Sequence, residues 1–163
     1  MQVKARRTMK TEFNAMWEEW MREALLEAGK AADAGEVPVG AIVVSAEGEV
    51  LSRAHNSPVM TSDPTAHAEM LALREAARRV GNYRLTGCSL VVTIEPCPMC
   101  AGAAVAARVA RIIYGAADPK AGAVTTLYNI ASDPRLNHRA DIVSDILADE
   151  CSWLLKDFFR KRR

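Results

Sequence analysis

The sequence has few of the features on which secreted and membrane proteins depend. It contains only 4 cysteines in 163 residues. No uninterrupted apolar run is long enough to span a bilayer, and no apolar core follows the basic residues at its start. A disulfide framework, a membrane anchor and a secretory signal are therefore not expected. Half of the residues are hydrophobic, which is typical of a globular protein, and we expect a cytoplasmic one without a membrane partner.

Histidine is equally scarce, with 3 in the chain, and one of them belongs to a group of residues typical of a metal site. Cys97 and Cys100 stand three residues apart, and two thiols at that spacing can reach one metal from the first turn of a helix. The imidazole of His67 would complete three protein ligands and leave the fourth tetrahedral position for water. Glu69 is an acid nearby that is not itself a ligand and could shuttle protons. The pattern predicts one catalytic Zn²⁺ per chain and hydrolytic chemistry.

Other interpretations of the same residues remain open from the spacing alone. A single C-x-x-C pair also serves as a redox dithiol, as half of a structural zinc site, or as two inert buried thiols. A structural zinc requires a fourth ligand, and the remaining candidates are isolated in the sequence: His55, Cys88, His138 and Cys151. A zinc-stabilised RNA-binding module without catalysis is a further alternative. It would not require the acid at Glu69.

Hydrophobic periodicity predicts strands that alternate with helices after an opening hairpin. The predicted strands are 39–44, 50–54, 89–94, 111–115 and 142–143; the predicted helices are 11–34, 66–80, 99–107 and 147–163, with a short helical patch at 125–129. This order indicates an α/β fold, a three-layer α/β/α sandwich around a mixed central sheet of about five strands. We expect residues 11–163 to form a single zinc-dependent domain and residues 1–10 to be a poorly ordered extension.

The predicted elements place the metal-site residues at helix starts. Thr65 is expected to cap a helix that carries His67 and Glu69 in its first turn. Cys97 and Cys100 open the helix that follows the strand at 89–94. Open α/β sheets bind ligands just beyond the carboxyl ends of their strands, which is where these thiols fall.

The end of the sequence is basic and aromatic. Residues 156–163 contain five cations against one anion, together with two adjacent phenylalanines. A charged helix end is often only solvated, and basic side chains also suit the negative end of a helix dipole. Aromatic and basic side chains together also suit the bases and phosphates of single-stranded nucleic acid. Both interpretations stay open at this point.

From about Trp17 to the end, the chain resembles the bacterial tRNA-specific adenosine deaminases of the cytidine deaminase-like superfamily. The resemblance rests on these segments: Glu36 to Ala41, Asp63 to Glu69, Asn82 to Leu85, Glu95 to Ala103, Asn137 to Arg139, Leu147 to Cys151 and Asp157 to Arg163. It implies hydrolytic deamination of adenosine to inosine at the wobble position of a tRNA anticodon loop. It also implies that the protein is a homodimer.

The resemblance further implies roles for individual residues. Zinc would be held by His67, Cys97 and Cys100, with Glu69 as the proton shuttle. Asn56 would hydrogen-bond the purine, and backbone near Ala68 and Cys97 would hold the attacking water and the departing amine. The residues expected to contact the anticodon stem-loop are Asp118, Lys120, Asn137, His138, Phe158, Phe159, Arg160 and Arg162. The alternative among enzymes is a guanine deaminase, or another free-base or nucleoside deaminase, because such enzymes can carry the same short motifs.

Overall fold

The computed structural model describes the backbone of residues 2–162 and the side chains of residues 12–162. Helices and strands alternate along the chain: α1 (Gln2–Asp33), β1 (Gly40–Val44), β2 (Val50–His55), α2 (Pro58–Thr61), α3 (Ala68–Val80), β3 (Ser89–Ile94), α4 (Pro98–Ala106), β4 (Arg111–Ala116), a 3-10 helix (Ile130–Ser132), β5 (Asp141–Val143) and α5 (Ala148–Arg160). Among the described residues, no helix is long and apolar enough to cross a membrane. The predicted α/β class is confirmed.

The five strands form one mixed sheet in the order β2-β1-β3-β4-β5. β1 is antiparallel to both β2 and β3, whereas β3, β4 and β5 are parallel to one another. The register aligns Ile42 with Val91, Val91 with Ile113, and Ile113 with Val143. Because the parallel strands end at one edge of the sheet, the loops that follow β3 and β4 meet there.

One face of the sheet is covered by α1 and α5. Successive side chains of a strand point to opposite faces, so Ile42, Val91 and Ile113 all lie on this side. They pack with Met21 from α1 and Cys151 from α5 in one buried cluster. This cluster forms the first of the two cores of the sandwich.

The opposite face is covered by α3 and α4. Val43, Leu90 and Ile112 point to this side and belong to a second buried cluster with Ala72 of α3 and Ala101 of α4. Small side chains let a helix lie close to its neighbours, and six of the nine residues of α4 are alanine, glycine or cysteine. The two helices that carry the predicted metal ligands therefore pack side by side on one face of the sheet.

Two glycines are required where α1 and α5 press on the sheet. A Cβ atom at Gly40 would lie 2.0 Å from the carbonyl oxygen of Ala24 in α1. A Cβ atom at Gly115 would lie 2.3 Å from the Sγ of Cys151 in α5. Neither clash can be relieved without moving a helix, so these glycines set how closely the layer of helices approaches the sheet.

Two predicted helix starts were wrong. α1 begins at Gln2, so Thr11 lies inside the helix and not at its start. The side chains of residues 1–11 lie outside the described residues, and the expected poor order of residues 1–10 stays a prediction. α3 begins at Ala68, with His67 as its N-cap. Thr65 does not cap it, because its hydroxyl donates to Asp63 Oδ1 at 2.7 Å and takes part in the preceding turn.

Other differences concern short segments. The loop predicted after Asn56 contains a single helical turn, α2, and the helical patch predicted at 125–129 is absent. The backbone N–H groups of Thr125 and Thr126 bind the carboxylate of Glu95 at 2.8 Å instead of continuing a helix. A 3-10 turn at residues 130–132 comes next. α5 ends at Arg160, and Arg163 lies outside the described residues.

Candidate metal centre and substrate cavity

His67, Cys97 and Cys100 meet where α3 and α4 begin. His67 is the N-cap of α3, Cys97 is the N-cap of α4, and Cys100 lies in the first turn of α4. The Nδ1 atom of His67 is 3.6 Å from the Sγ atoms of both cysteines. All three ligand atoms lie within 4.8 Å of one another. The three residues that the sequence spacing singled out therefore lie together in the structure.

The spacing of these atoms fits a zinc ion. Zinc–sulfur bonds of about 2.3 Å and zinc–nitrogen bonds of about 2.0–2.1 Å at a tetrahedral angle place nitrogen and sulfur about 3.6 Å apart. The observed separations of 3.6 Å match that value. Two sulfurs and one imidazole are also ligands that zinc favours, and three protein ligands leave one position open.

A structural zinc site is not supported, because none of the four candidates for a fourth ligand, His55, Cys88, His138 and Cys151, joins the three ligands. His55 Nδ1 pairs with Glu27 Oε2 at 2.9 Å, and His138 Nε2 donates to the carbonyl oxygen of Val109 at 2.7 Å. Cys151 lies beneath Gly115, and burial raises the pKa of its thiol to about 12. Among residues 12–162, no fourth histidine, cysteine or acid joins the group of three.

The surroundings of Cys97 favour its thiolate. The Cys100 thiol hydrogen-bonds to Cys97, His67 does so as well, and together they lower the pKa of Cys97 to about 4 against the opposing effect of burial. The thiolate is the form of cysteine that binds metal. Cys97 is thus prepared for coordination before any metal arrives.

Glu69 lies beside the three ligands without being one of them. It is in the first turn of α3 and only 3 % exposed. Burial raises the pKa of Glu69 to about 7, while a hydrogen bond with Cys100 opposes that change. A carboxyl group that can hold or release a proton near neutral pH suits general acid–base chemistry.

Asn56 connects the end of β2 to the start of α3. Its Oδ1 atom accepts a hydrogen bond of 2.9 Å from the backbone N–H of Ala68, between His67 and Glu69. This contact fixes the backbone that presents both functional side chains. It also occupies the Ala68 N–H, which the resemblance assigned to water or amine binding. The Nδ2 group of Asn56 is the part of this amide that can face a purine, and both roles stay predictions.

A cavity of about 170 Å³ lies over these residues. Its lining contains the site residues together with apolar side chains from two loops and the end of β3: Val37, Val39, Asn56, His67, Glu69, Ile94, Glu95, Cys97, Asp118 and Ala121. Most of this lining is apolar, with a few polar groups that converge on one point. That combination is typical of a small-molecule or base-binding pocket.

The cavity continues into a larger groove along α5. The α5 groove consists of two overlapping spaces of about 600 and 710 Å³. Its lining is Val37, Ile94, residues 116–120, Ser152, Leu155, Lys156, Phe159, Arg160 and Arg162. Val37, Ile94 and Asp118 line both the groove and the cavity. The groove is rich in cations. Asp118 lines both the groove and the cavity and Lys120 lines the groove, and the expected contact of these two residues with RNA stays a prediction.

The two phenylalanines near the C-terminus differ in their surroundings. Phe159 is 50 % exposed and lines the α5 groove. Phe158 is buried, and the guanidinium of Arg162 lies 4.0 Å from the centre of its ring. Phe158 therefore packs the end of α5 against the protein, and only Phe159 is placed to stack on a base.

Asn137 and His138 lie away from the cavity. His138 is tied to Val109, and the carbonyl oxygen of Asn137 accepts from Arg108, just before β4 begins. The cavity lies at the opposite end of β4, where Ala116 accepts from the N–H of Glu95. Six residues of a strand span roughly 17–20 Å. The structure thus does not bring these two residues to the zinc ligands, and their contact with RNA stays a prediction.

Several lining residues were not identified from the sequence, among them Glu95 and Val37. Glu95 is 1 % exposed and binds the loop after β4, and Val37 lines both the cavity and the groove. The position of Glu95 in the sequence could have identified it, because it is a single acid between a continuous apolar strand and Pro96. An acid in such a buried place needs hydrogen-bond partners.

The fold and this open His/Cys/Cys centre with a buried acid define a zinc-dependent deaminase of nucleobases. The comparisons with known proteins agree. The family model for the cytidine and deoxycytidylate deaminase zinc-binding region matches residues 15–116. A tRNA-specific adenosine deaminase of Bacillus subtilis is 49 % identical over 144 residues, which cover 88 % of this chain and 89 % of that protein.

A tRNA-specific adenosine deaminase of Aquifex aeolicus is 50 % identical, with 90 % of this chain and 95 % of that protein covered. A solved structure from a study of A-to-I editing by tRNA:A34 deaminases at the wobble position of transfer RNA superimposes with a TM-score of 0.81. It is 42 % identical and covers 84 % of this chain and 99 % of its own. The chain belongs to the family of tRNA-specific adenosine deaminases.

Proposed function

We propose that this protein deaminates adenosine to inosine at the wobble position of a tRNA anticodon loop, with one zinc bound per chain. The observation that carries the proposal is the continuity between two sites. The cavity with the three metal ligands and Glu69 shares Val37, Ile94 and Asp118 with the cationic α5 groove. A free base would need only the cavity, whereas a base within an RNA chain also needs a path for its backbone.

Zinc held by His67, Cys97 and Cys100 would supply Lewis-acid activation of a water molecule. Glu69 takes a proton from this water as its oxygen bonds to C6 of adenine, and it delivers a proton to N1 of the ring. Glu69 then takes the proton of the new C6 hydroxyl group and passes it to the amino group, so that the C6–N bond breaks, ammonia leaves and a carbonyl group remains at C6. The pKa of Glu69, raised to about 7 by burial, suits a group that both accepts and donates protons.

Asn56 holds the start of α3 through Ala68 and orients the purine with its remaining amide group. Leaving such a buried partner unpaired would cost roughly 1–3 kcal/mol, which makes this contact a means of selecting the base. The apolar side chains of Val37, Val39 and Ile94 exclude water from around the ring.

The α5 groove holds the RNA on either side of the target base. Lys120, Lys156, Arg160 and Arg162 supply positive charge for phosphates, and Phe159 supplies a face for stacking. The base must leave its stack to enter the cavity, which costs least in a loop that is already single-stranded. An anticodon stem-loop satisfies this requirement.

Two further features follow from membership of this family. We expect a homodimer, which light scattering on purified protein can test. We also expect the enzyme to act in the cytoplasm, where its tRNA substrate is found.

The proposal is tested by offering the zinc-loaded protein four substrates and measuring ammonia release. They are an anticodon stem-loop with adenosine at the wobble position, the same stem-loop with that adenosine moved one position, free adenosine, and free guanine. We expect ammonia, and inosine on nuclease digestion, only with the first.

Turnover of free guanine without turnover of the stem-loop would replace the proposal with a guanine deaminase. Equal rates on both stem-loops would retain an RNA deaminase but overturn the assignment to the wobble position. RNA binding without ammonia release from any substrate would favour a non-catalytic RNA-binding module.

A further inference from the structure

The carboxylate of Glu95 is the acceptor for an entire loop. Its Oε1 atom accepts from the backbone N–H groups of Val124, Thr125 and Thr126, at 3.3, 2.8 and 2.8 Å. Its Oε2 atom accepts from the N–H of Asp118 at 3.1 Å and from the hydroxyl of Thr126. Five donors therefore converge on one side chain that is 1 % exposed.

These donors belong to one segment, residues 117–127, which we call the β4–β5 loop. The loop also fits closely around the carboxylate, because a Cβ atom at Gly122 would lie 2.3 Å from Glu95 Oε2. Another hydrogen bond joins the loop to the segment that follows β3: the N–H of Ala123 donates to the carbonyl oxygen of Pro96 at 2.8 Å. The conformation of the loop is thus set by Glu95 and Pro96, at the end of β3, and not by regular structure of its own.

No basic side chain among residues 12–162 forms an ion pair with Glu95. All of its partners are N–H or O–H groups of the β4–β5 loop, and converging backbone N–H groups form a concave site for an anion. Here the anion is part of the protein. Removing it would leave several partly or fully buried N–H groups without an acceptor, which is costly.

The loop that Glu95 holds forms a wall of both functional spaces. Asp118 and Ala121 line the cavity, while Pro119 and Lys120 line the α5 groove. In the sequence, Glu95 lies two residues before Cys97, one of the candidate metal ligands. One short segment therefore joins the metal site to the surface that would meet RNA.

We propose that Glu95 is a positioning residue that fixes the β4–β5 loop as a shared wall of the zinc cavity and the α5 groove, and so determines how firmly the RNA substrate is held. It does not contact the reacting atoms. The alternative is that its hydrogen bonds only stabilise the fold. If Glu95 is a positioning residue, its replacement should disturb only the loop and substrate binding. If its hydrogen bonds only stabilise the fold, its replacement should destabilise the whole protein.

The test is Glu95→Gln, in which an NH₂ group replaces one acceptor oxygen and faces hydrogen-bond donors. Amide hydrogen exchange of the intact protein needs no substrate. We expect exchange at Asp118 and residues 124–126 to accelerate about tenfold or more, because their acceptor is lost, with little change in β1 and β3. Thr126→Val, which removes one of five donors, should give a smaller acceleration in the same amides.

Kinetics on the stem-loop test the functional part and rest on the proposed function. For Glu95→Gln we expect KM to rise about tenfold, kcat to change by less than about threefold, and zinc content to stay at one per chain. The control is Val91→Ala, in β3, the strand that ends just before Glu95, with its side chain facing α1 and α5. It should lower the melting temperature and leave both the loop amides and KM unchanged.

Exchange that accelerates equally throughout the sheet, or a KM that rises as much in Val91→Ala as in Glu95→Gln, would reduce Glu95 to a stabilising residue and overturn the proposal. Unchanged loop exchange in Glu95→Gln would overturn it as well. If no substrate is turned over by the parent protein while the exchange result holds, the failure belongs to the proposed function and not to the loop.

Discussion

The zinc cavity and the α5 groove adjoin each other, yet they are built in different ways. In the cavity, Asn56, Glu69 and Glu95 are at most 8 % exposed, and each has a defined hydrogen-bond partner. In the groove, Phe159 is 50 % exposed and the side chain of Arg160 is 76 % exposed. Buried polar contacts are strong when satisfied, whereas exposed charges are individually weak and are screened by salt.

Because of this difference, we expect the two regions to have different functions. A change in the cavity should alter metal binding or turnover, and a change in the groove should alter affinity and its dependence on salt. A groove variant that altered metal binding or turnover, or a cavity variant that altered only affinity and its salt dependence, would contradict this comparison. The expected effects decrease in size from the metal ligands to the exposed charges.

Cys97→Ser should abolish both zinc binding and activity, because it removes one of three ligands and the thiolate among them. Metal analysis and ammonia release measure the two losses. Cys88→Ala is the control, since Cys88 is also a free thiol but lies outside the group of three. Zinc that persists at one per chain in Cys97→Ser would contradict the assignment.

Glu69→Ala should retain zinc and lose turnover by about 10²–10⁴-fold, because it removes the proton path and leaves the ligands in place. Rates on the stem-loop and the zinc content of the same preparation provide the measurement. Glu75→Ala, on the exposed side of the same helix, should behave like the parent protein. Near-normal turnover in zinc-replete Glu69→Ala would remove Glu69 from the mechanism.

Asn56→Ala should reduce kcat/KM by a factor that corresponds to roughly 1–3 kcal/mol, with zinc unchanged. Asn56→Asp keeps an acceptor for the N–H of Ala68 but lacks the NH₂ group. Loss in both variants indicates a purine contact, whereas rescue by aspartate indicates that Asn56 only holds α3. Asn82→Ala is the control, as its side chain accepts a backbone N–H in an exposed turn.

Replacing Lys120, Lys156 and Arg160 together by glutamine should weaken stem-loop binding and flatten the plot of log affinity against log salt. Each phosphate contact on a single strand contributes about −0.7 to that slope, so three contacts predict a change of about two units. Titrations at several salt concentrations measure it. Zinc content should not change.

The control for this variant carries the same change of net charge outside the groove. Arg22, Arg78 and Arg135 are exposed and lie on other surfaces, so their replacement by glutamine should leave the slope within about half a unit of the parent value. Equal effects of the two triple variants would mean that net charge matters and the groove does not.

The sequence alone predicted the strands and the metal ligands well, for physical reasons that act locally. The continuous β-branched run of β3 can be buried on both faces, and its predicted bounds, 89–94, agree with the structure. Cys97 and Cys100 were identified as candidate ligands from their spacing. One follows a strand and the other lies in the first turn of the next helix, so their thiols can reach the same metal. His67 was found because so few histidines are present.

The features that the sequence could not predict depend on contacts between distant residues. The sequence around residues 124–126 is compatible with a helix. The N–H groups of these residues instead bind Glu95, about thirty residues earlier in the chain. This outcome is not encoded by local propensity or periodicity.

The separation of chemistry from recognition is tested most directly by single-turnover inosine formation at saturating stem-loop. The variants to compare are Glu69→Gln and the glutamine triple variant of Lys120, Lys156 and Arg160. We expect the triple variant to approach the parent rate within about threefold once RNA is saturating, and Glu69→Gln to remain at least about 10²-fold slower at every concentration. If the triple variant, with full zinc and an unchanged melting temperature, were as slow as Glu69→Gln at saturation, the groove would take part in the chemistry and the account would be contradicted.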